Sequence, residues 1–154
     1  MTKTIEIIRK QRANLIKLTE DLTIEQLNLI PAGFNNNIIW NMGHLVAAQQ
    51  GICYRRTGVD LIVSQEFFDT YCPGSKPERF ITAEELEEIK SLFHSTLDQF
   101  VADYEKKLFS DYQPWATRAG IDLTNIDEAT QFVVYHEGLH NGVIMAQKRV
   151  ILGL

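Results

Sequence analysis

Apolar residues recur at a spacing close to 3.6 over four long stretches of the chain, which is the period of an amphipathic helix. The four predicted helices cover about residues 4–22, 37–56, 82–110 and 125–152. A capping-box pattern, Thr23 with Gln26, predicts a short helical turn after the first helix, and a second one, Thr82 with Glu85, opens the third. No stretch alternates in the way that indicates a convincing strand.

Two connecting segments break the helical pattern. Residues 58–80 form a long connection in which Phe67, Phe68 and Tyr71 lie close together, so we expect it to pack against the helices. Such a connection can return the chain along the bundle or cover a site. Residues 111–124 form a shorter connector, in which Trp115 is expected to be a core residue. The pattern as a whole predicts one all-α domain over residues 1–154, a four-helix bundle with a long crossover between helices two and three.

Composition and charge exclude several classes of function. The formal net charge of −5 argues against a nucleic-acid-binding surface. Charged residues such as Glu6 and Arg9 interrupt any apolar core of a signal peptide, and no stretch approaches the roughly 18 apolar residues of a membrane span. We therefore expect a cytoplasmic protein without a membrane partner, with Cys53 and Cys72 as reduced thiols.

Three of the four histidines are candidates for a metal site. His136 and His140 are four residues apart, so they project from the same face of the fourth helix, beside its apolar stripe. His44 shares a small and apolar face of the second helix with Trp40, and an unpaired imidazole in such a place is costly. A metal removes that cost, although a hydrogen-bonded core histidine is the ordinary alternative for each of them. His94 lies toward the polar side of the third helix and is read as a surface residue.

The segment from His136 to His140 also matches the HExxH pattern of zinc peptidases, in which Glu137 is the general base. Those enzymes take a third ligand downstream of the motif, and no His, Asp, Glu or Cys follows His140. Glu137 projects about 100° away from His136 around the helix. The peptidase interpretation is therefore weak. Glu137 is instead expected to act as an acid–base group or to orient a ligand.

Two segments carry a resemblance to a known family: Trp40-Asn41-Met42-Gly43-His44 and His136 to Gly142. The W-N-x-G-H stretch followed by HxxxH near the C-terminus resembles the DinB-like superfamily of YfiT-like metal-dependent enzymes. The resemblance implies an up-down-down-up bundle, frequent homodimers, and a divalent metal, often zinc or nickel, on His44, His136 and His140. Characterised relatives resemble thiol S-transferases that use bacillithiol or mycothiol, or hydrolases and isomerases.

Two functions remain open at this point. The first is a metal-dependent enzyme in which water or a low-molecular-weight thiol attacks a small electrophilic molecule. Its pocket is expected to be lined by Trp40, Tyr135 and the connection at residues 67–75. The second is a non-catalytic, stress-related bundle that binds a metal or another ligand. Imidazole ligands suit zinc, nickel, copper and iron, so the residue types leave the metal open.

Overall fold

The computed structural model describes all residues from Met1 to Leu154. Six α-helices account for most of the chain, and the third continues directly into a π-helical segment. In chain order the elements are α1 (Thr2–Thr19), α2 (Ile24–Asn28), α3 (Ile38–Gln49), the π segment (Gln50–Tyr54), α4 (Gln65–Tyr71), α5 (Ala83–Glu105), β1 (Trp115–Ala116), β2 (Asp122–Leu123) and α6 (Ile126–Leu152). The mostly helical architecture confirms the predicted fold class, while the up-down-down-up order of the helices stays a prediction.

The helix ends follow from local chemistry. Both predicted capping boxes form, with the Thr23 hydroxyl accepting from the backbone of Gln26 and the Thr82 hydroxyl accepting from that of Glu85. Gly153 ends α6 with a φ of 71°, a left-handed conformation that glycine adopts at little cost. These pairings satisfy backbone groups that a helix end leaves without partners.

Helix α3 is the central element of the fold. All of its residues, from Ile38 to Gln49, are buried, as expected of a helix that is apolar on most sides. It contacts α2, α4, α5 and α6, and α1 packs against α5 and α6. A functional side chain on α3 therefore faces protein on every side unless a pocket reaches it. None of the helices combines the length and the apolarity needed to cross a membrane.

The structure corrects three predictions about the elements of the chain. The connection at 58–80 contains a real helix, α4, which is capped by the Ser64 hydroxyl and held by the buried side chains of Phe68 and Tyr71. The connector after α5 contains a minimal antiparallel pair, β1 with β2, where no strand was expected. Helix α5 ends at Glu105 rather than near residue 110.

A buried polar layer divides the core into two apolar clusters. One cluster gathers around Leu15, Phe93 and Ile144, and the other around Ile8, Leu97 and Val133. One buried polar residue lies between the two apolar clusters on each of three helices: Arg12 on α1, Thr96 on α5 and Glu137 on α6. Gln49 of α3 completes the layer. Burying them is tolerable because they hydrogen-bond to one another.

Candidate metal centre

The three histidines singled out in the sequence converge in space. The ring centroids of His136 and His140 are 4.5 Å apart. The ring centroid of His44 lies 5.2 Å from that of His136 and 4.7 Å from that of His140. One ligand nitrogen from each ring lies within 4.8 Å of the others. The predicted metal ligands are therefore brought together, two by the i, i+4 spacing on α6 and one by the packing of α3 against it.

Hydrogen bonds fix which nitrogen two of the rings present. Nδ1 of His44 lies 2.7 Å from the carbonyl oxygen of Tyr71, and Nδ1 of His140 lies 2.8 Å from Oδ1 of Asn41. Both partners are oxygens that accept, so each Nδ1 carries the proton and each Nε2 keeps its lone pair. This is the arrangement that orients metal-binding histidines in proteins, and the residues present fit a divalent ion.

The orientation of the Asn41 amide is itself determined by its surroundings. Its Nδ2 donates to three oxygens, at 3.0 Å to Asn36, 2.8 Å to the Asn37 carbonyl and 3.1 Å to Gln147. Its Oδ1 is thereby directed to His140. The sequence interpretation missed Asn41 as a functional residue, although it lies one helical turn before His44 on the same face of α3.

Trp40 restrains the ring of His44 from the other side. Its ring stacks on that of His44 with centroids 4.7 Å apart and an interplanar angle of 11°. Its indole Nε1 donates to the Ser75 hydroxyl at 3.0 Å, and that hydroxyl donates to the Thr70 carbonyl at 2.7 Å. The segment after α4 is thus tied to α3 beside the histidines.

Burial keeps all three imidazoles neutral at ordinary pH. It lowers the pKa of His136 from 6.5 to about 3 and that of His140 to about 4, with further lowering by the neighbouring histidines. Burial also lowers the pKa of His44, and the hydrogen bond to the Tyr71 carbonyl partly offsets this lowering. Neutral imidazole is the form that binds a metal ion, so the site needs no proton loss at neutral pH.

The lowered pKa values predict a pH dependence of stability in the metal-free protein. Between pH 6.5 and about 4 the unfolded chain binds protons at these histidines while the folded chain does not, so the free energy of unfolding should fall as the pH falls. Urea unfolding at pH 7, 6 and 5 measures this. The partly exposed carboxyls of Glu6 and Glu85 have pKa values lowered from 4.5 to about 2, so their contribution to stability is lost below pH 4.5, outside the range of this measurement.

A matched pair of variants assigns the effect. His136→Gln should flatten the slope between pH 7 and 5, whereas His94→Gln, on the exposed side of α5, should leave it unchanged. Equal slopes in wild type and His136→Gln would show that the cluster does not control stability in this range.

Gly43 is required by the close approach of α4. A Cβ atom at this position would lie 2.5 Å from the Tyr71 ring, so Gly43→Ala forces the ring and its helix to move. We expect a loss of about 1–3 kcal/mol in unfolding free energy from this overpacking. Because the Tyr71 carbonyl orients His44, metal affinity should also fall by about tenfold. Thermal melts and metal titration measure the two effects.

Gly142→Ala on α6 is the control. Nothing lies within 4 Å of its added Cβ, so the substitution should stabilise the helix by about 1 kcal/mol. If both alanine variants were equally stable, the Tyr71 contact would not constrain Gly43.

Glu137 projects to one side of the histidine pair on α6 and faces α1 instead of the histidine cluster. Its Oε1 is 2.7 Å from a terminal guanidinium nitrogen of Arg12 and accepts from Nε of the same residue at 2.8 Å. Burial raises the pKa of the Glu137 carboxyl, and Arg12 opposes that rise. The catalytic role considered for Glu137 stays a prediction, and this geometry gives no support to the peptidase interpretation, because the carboxylate faces α1.

A pocket of about 740 Å³ opens the histidines to solvent. Trp40 lines it as expected, and so do Phe68 and the Pro73–Gly74 turn of the connection after α3. Tyr135 does not: it is half exposed and lies outside the lining, so that expectation is wrong.

The connector before α6 contributes unexpectedly to the same pocket. Trp115, which was expected to be a core residue, is partly exposed and lines the cavity near the histidines. Arg55, Arg56 and Arg118 line it as well, and the sequence interpretation missed them. A charged pair such as Arg55 and Arg56 at the end of a helix carries no sequence signal of the connector that folds over it.

Comparisons with known proteins agree with this architecture. The sequence profile of the DinB superfamily matches residues 7–144. A crystal structure described as the conserved protein of a locus from Enterococcus faecalis is similar in fold, with a TM-score of 0.61 over 99% of this chain and 97% of that one. Its sequence is 15% identical, so this likeness concerns the fold alone. No curated protein matches the sequence significantly. Because the family match spans most of the chain and includes His44, His136 and His140, the chain belongs to the DinB superfamily.

Proposed function

We propose that the protein is a metal-dependent enzyme that acts on a small electrophilic molecule, with His44, His136 and His140 holding a divalent ion, zinc or nickel. The observation that carries the proposal is the convergence of three neutral imidazoles, two of them oriented by hydrogen bonds, on a pocket that is open to solvent. Structural zinc sites close with four protein ligands, whereas three ligands leave a position for a reactant. A divalent ion bound there supplies Lewis-acid chemistry and lowers the pKa of a coordinated thiol or water.

The protein residues supply orientation and an apolar environment. Trp40 and the Tyr71 carbonyl hold the His44 ring from two sides, and Asn41 holds that of His140. The apolar walls of the pocket, formed by Ile52, Phe68 and Phe132 among others, can receive the carbon skeleton of a substrate and keep bulk water away from it.

The lining favours a thiol as the nucleophile. It contains no aspartate or glutamate, so a carboxylate general base is not at hand in the pocket. Among common nucleophiles a thiol has the least need of one, since its pKa lies closest to neutral and the thiolate is intrinsically reactive. We therefore place transfer of a low-molecular-weight thiol ahead of hydrolysis.

A screen of the metal-loaded protein tests this proposal. Bacillithiol or mycothiol is offered with chloroaromatic and epoxide electrophiles, and esters are offered without thiol. Thiol consumption that is lost on chelation and in His136→Ala supports a transferase, and ester cleavage with the same dependence supports a hydrolase. The Gly142→Ala variant is the matched control, since its added Cβ has no neighbour within 4 Å and all three histidines are retained.

The missing carboxylate also supports a second candidate, a non-catalytic bundle that binds a metal or a ligand. Tight binding of metal by wild-type protein without turnover of any substrate pair would favour this second function over the first.

A further inference from the structure

The pocket beside the histidines has a charge opposite to that of the chain. The protein carries a formal net charge of −5, yet three arginines and no acidic residue line this cavity. A cleft lined by one sign of charge concentrates ligands of the other sign. The cavity is therefore suited to an anionic molecule, although the protein as a whole repels one.

The three guanidinium groups are not neutralised by the protein. Arg9, Arg12 and Arg79 each form an ion pair with a carboxylate. The arginines of the pocket, which are Arg55, Arg56 and Arg118, form none, and their side chains make no hydrogen bond within the protein. Their donors remain available for a ligand.

Aromatic rings hold two of these arginines in place. The guanidinium carbon of Arg55 lies 4.4 Å from the centroid of Phe68, and that of Arg56 lies 4.5 Å from the centroid of Trp115. Stacking occupies the face of a guanidinium and leaves its N–H edge free to donate two parallel hydrogen bonds. Less side-chain freedom is then lost when an anion binds.

The backbone supports the same arrangement. The π segment, Gln50–Tyr54, directly precedes the two arginines, and such an irregular turn changes the direction in which the following residues project. The backbone N–H of Gln113 donates to the Arg56 carbonyl at 2.6 Å. The indole of Trp115 donates to the Tyr112 hydroxyl at 2.9 Å, so the stacking platform is itself fixed.

We propose that Arg55, Arg56 and Arg118 form an anion-binding subsite that receives a carboxylate or phosphate group of the substrate or of its thiol partner. The reacting end of the same molecule then reaches the histidine cluster through the shared cavity. The delivery of the reacting end to the histidines rests on the proposed function. The binding of the anion by the three arginines does not depend on it.

Tryptophan fluorescence gives a direct measurement. The chain has two tryptophans, Trp40 and Trp115, and both line the pocket. Succinate and glycerol phosphate are the anionic probes, and 1,4-butanediol is the uncharged control, each titrated into zinc-loaded and chelated protein with calorimetry in parallel. We expect saturable binding of at least one anion with and without zinc, and none of the diol. The preferred anion identifies the group that the subsite receives.

Variants locate the binding. Arg118→Gln and Arg56→Gln should each weaken anion binding by about tenfold or more, because each removes a charged, forked donor. Arg149→Gln is the charge-matched control, since Arg149 is exposed on α6 outside the pocket. Circular dichroism verifies that the variants fold.

Two results would overturn the subsite: equal affinity in wild type and in both pocket variants, or anion binding that disappears on chelation, which would place the anion at the histidines. Anion binding at the arginines without turnover would contradict the proposed reaction only. Turnover with unaffected arginine variants would contradict the subsite only.

Discussion

Replacement of His136 by alanine should lower the affinity for a divalent metal by more than about 100-fold. Substitution of groups that merely orient metal ligands commonly costs about 10–100-fold, and in the proposed site His136 is itself one of the three ligands. The fold should survive, because His136 is partly exposed on the wall of an open pocket and has no hydrogen-bond partner to leave behind. Metal content after purification and competition with a chelator of known affinity measure the effect.

His94→Ala is the matched control for this experiment. His94 lies exposed on α5, outside the cluster, so its removal should leave metal content unchanged. Equal metal content in wild type and His136→Ala would reject the ligand assignment. Metal loss in both variants would instead indicate a nonspecific effect of losing an imidazole.

The convergence of the proposed metal ligands could be predicted largely from the sequence, because local rules determine the placement of two of them. His136 and His140 share a helix face through a spacing of four, whatever the helix packs against. His44 required more, since its approach to them depends on the packing of α3 against α6. The apolar, small-residue face around His44 and the family resemblance supplied that signal.

The groups that orient the histidine rings are harder to predict from the sequence. The Tyr71 carbonyl belongs to α4, a seven-residue helix that is too short to be stable by itself and forms through the burial of its aromatic side chains. The pattern of residues 58–80 shows those aromatics without showing the helix. The side of α6 that faces the core is also hard to predict from residue types, because Glu137 is buried while Leu139 is half exposed.

The buried ion pair was missed for a similar reason. Arg12 interrupts the apolar stripe of α1 between Ile8 and Leu15, and a charged residue in such a position signals a buried partner without naming it. The partner lies 125 residues away on α6, so only the tertiary structure identifies it.

Glu137→Ala should be the most destabilising single substitution in the polar layer. Arg12 is fully buried, and it donates to Glu137, to the Phe93 carbonyl and to Gln49. Removing the carboxylate leaves a buried guanidinium without its counter-charge, which costs about 3–5 kcal/mol. For a chain of this size the melting temperature should fall by roughly 10 °C. Thermal and urea unfolding of the metal-free protein give the value without interference from metal binding.

Two further variants separate the structural role of Glu137 from the catalytic role considered for it. Glu137→Gln keeps an oxygen that can accept from Arg12, so its loss of stability should be smaller, about 1–3 kcal/mol. An acid–base residue cannot be replaced by an amide, because the amide neither gives nor takes a proton at neutral pH. Full turnover per folded molecule in Glu137→Gln therefore assigns the residue to positioning α6 against α1. A loss of turnover in a stable, metal-loaded Glu137→Gln would restore the acid–base assignment.

The double variant Arg12→Met with Glu137→Leu should recover much of the stability lost in Glu137→Ala, since an apolar pair leaves no buried charge unpaired. If it did not, the hydrogen bonds of Arg12 to α3 and α5, rather than its ion pair, would hold the polar layer together.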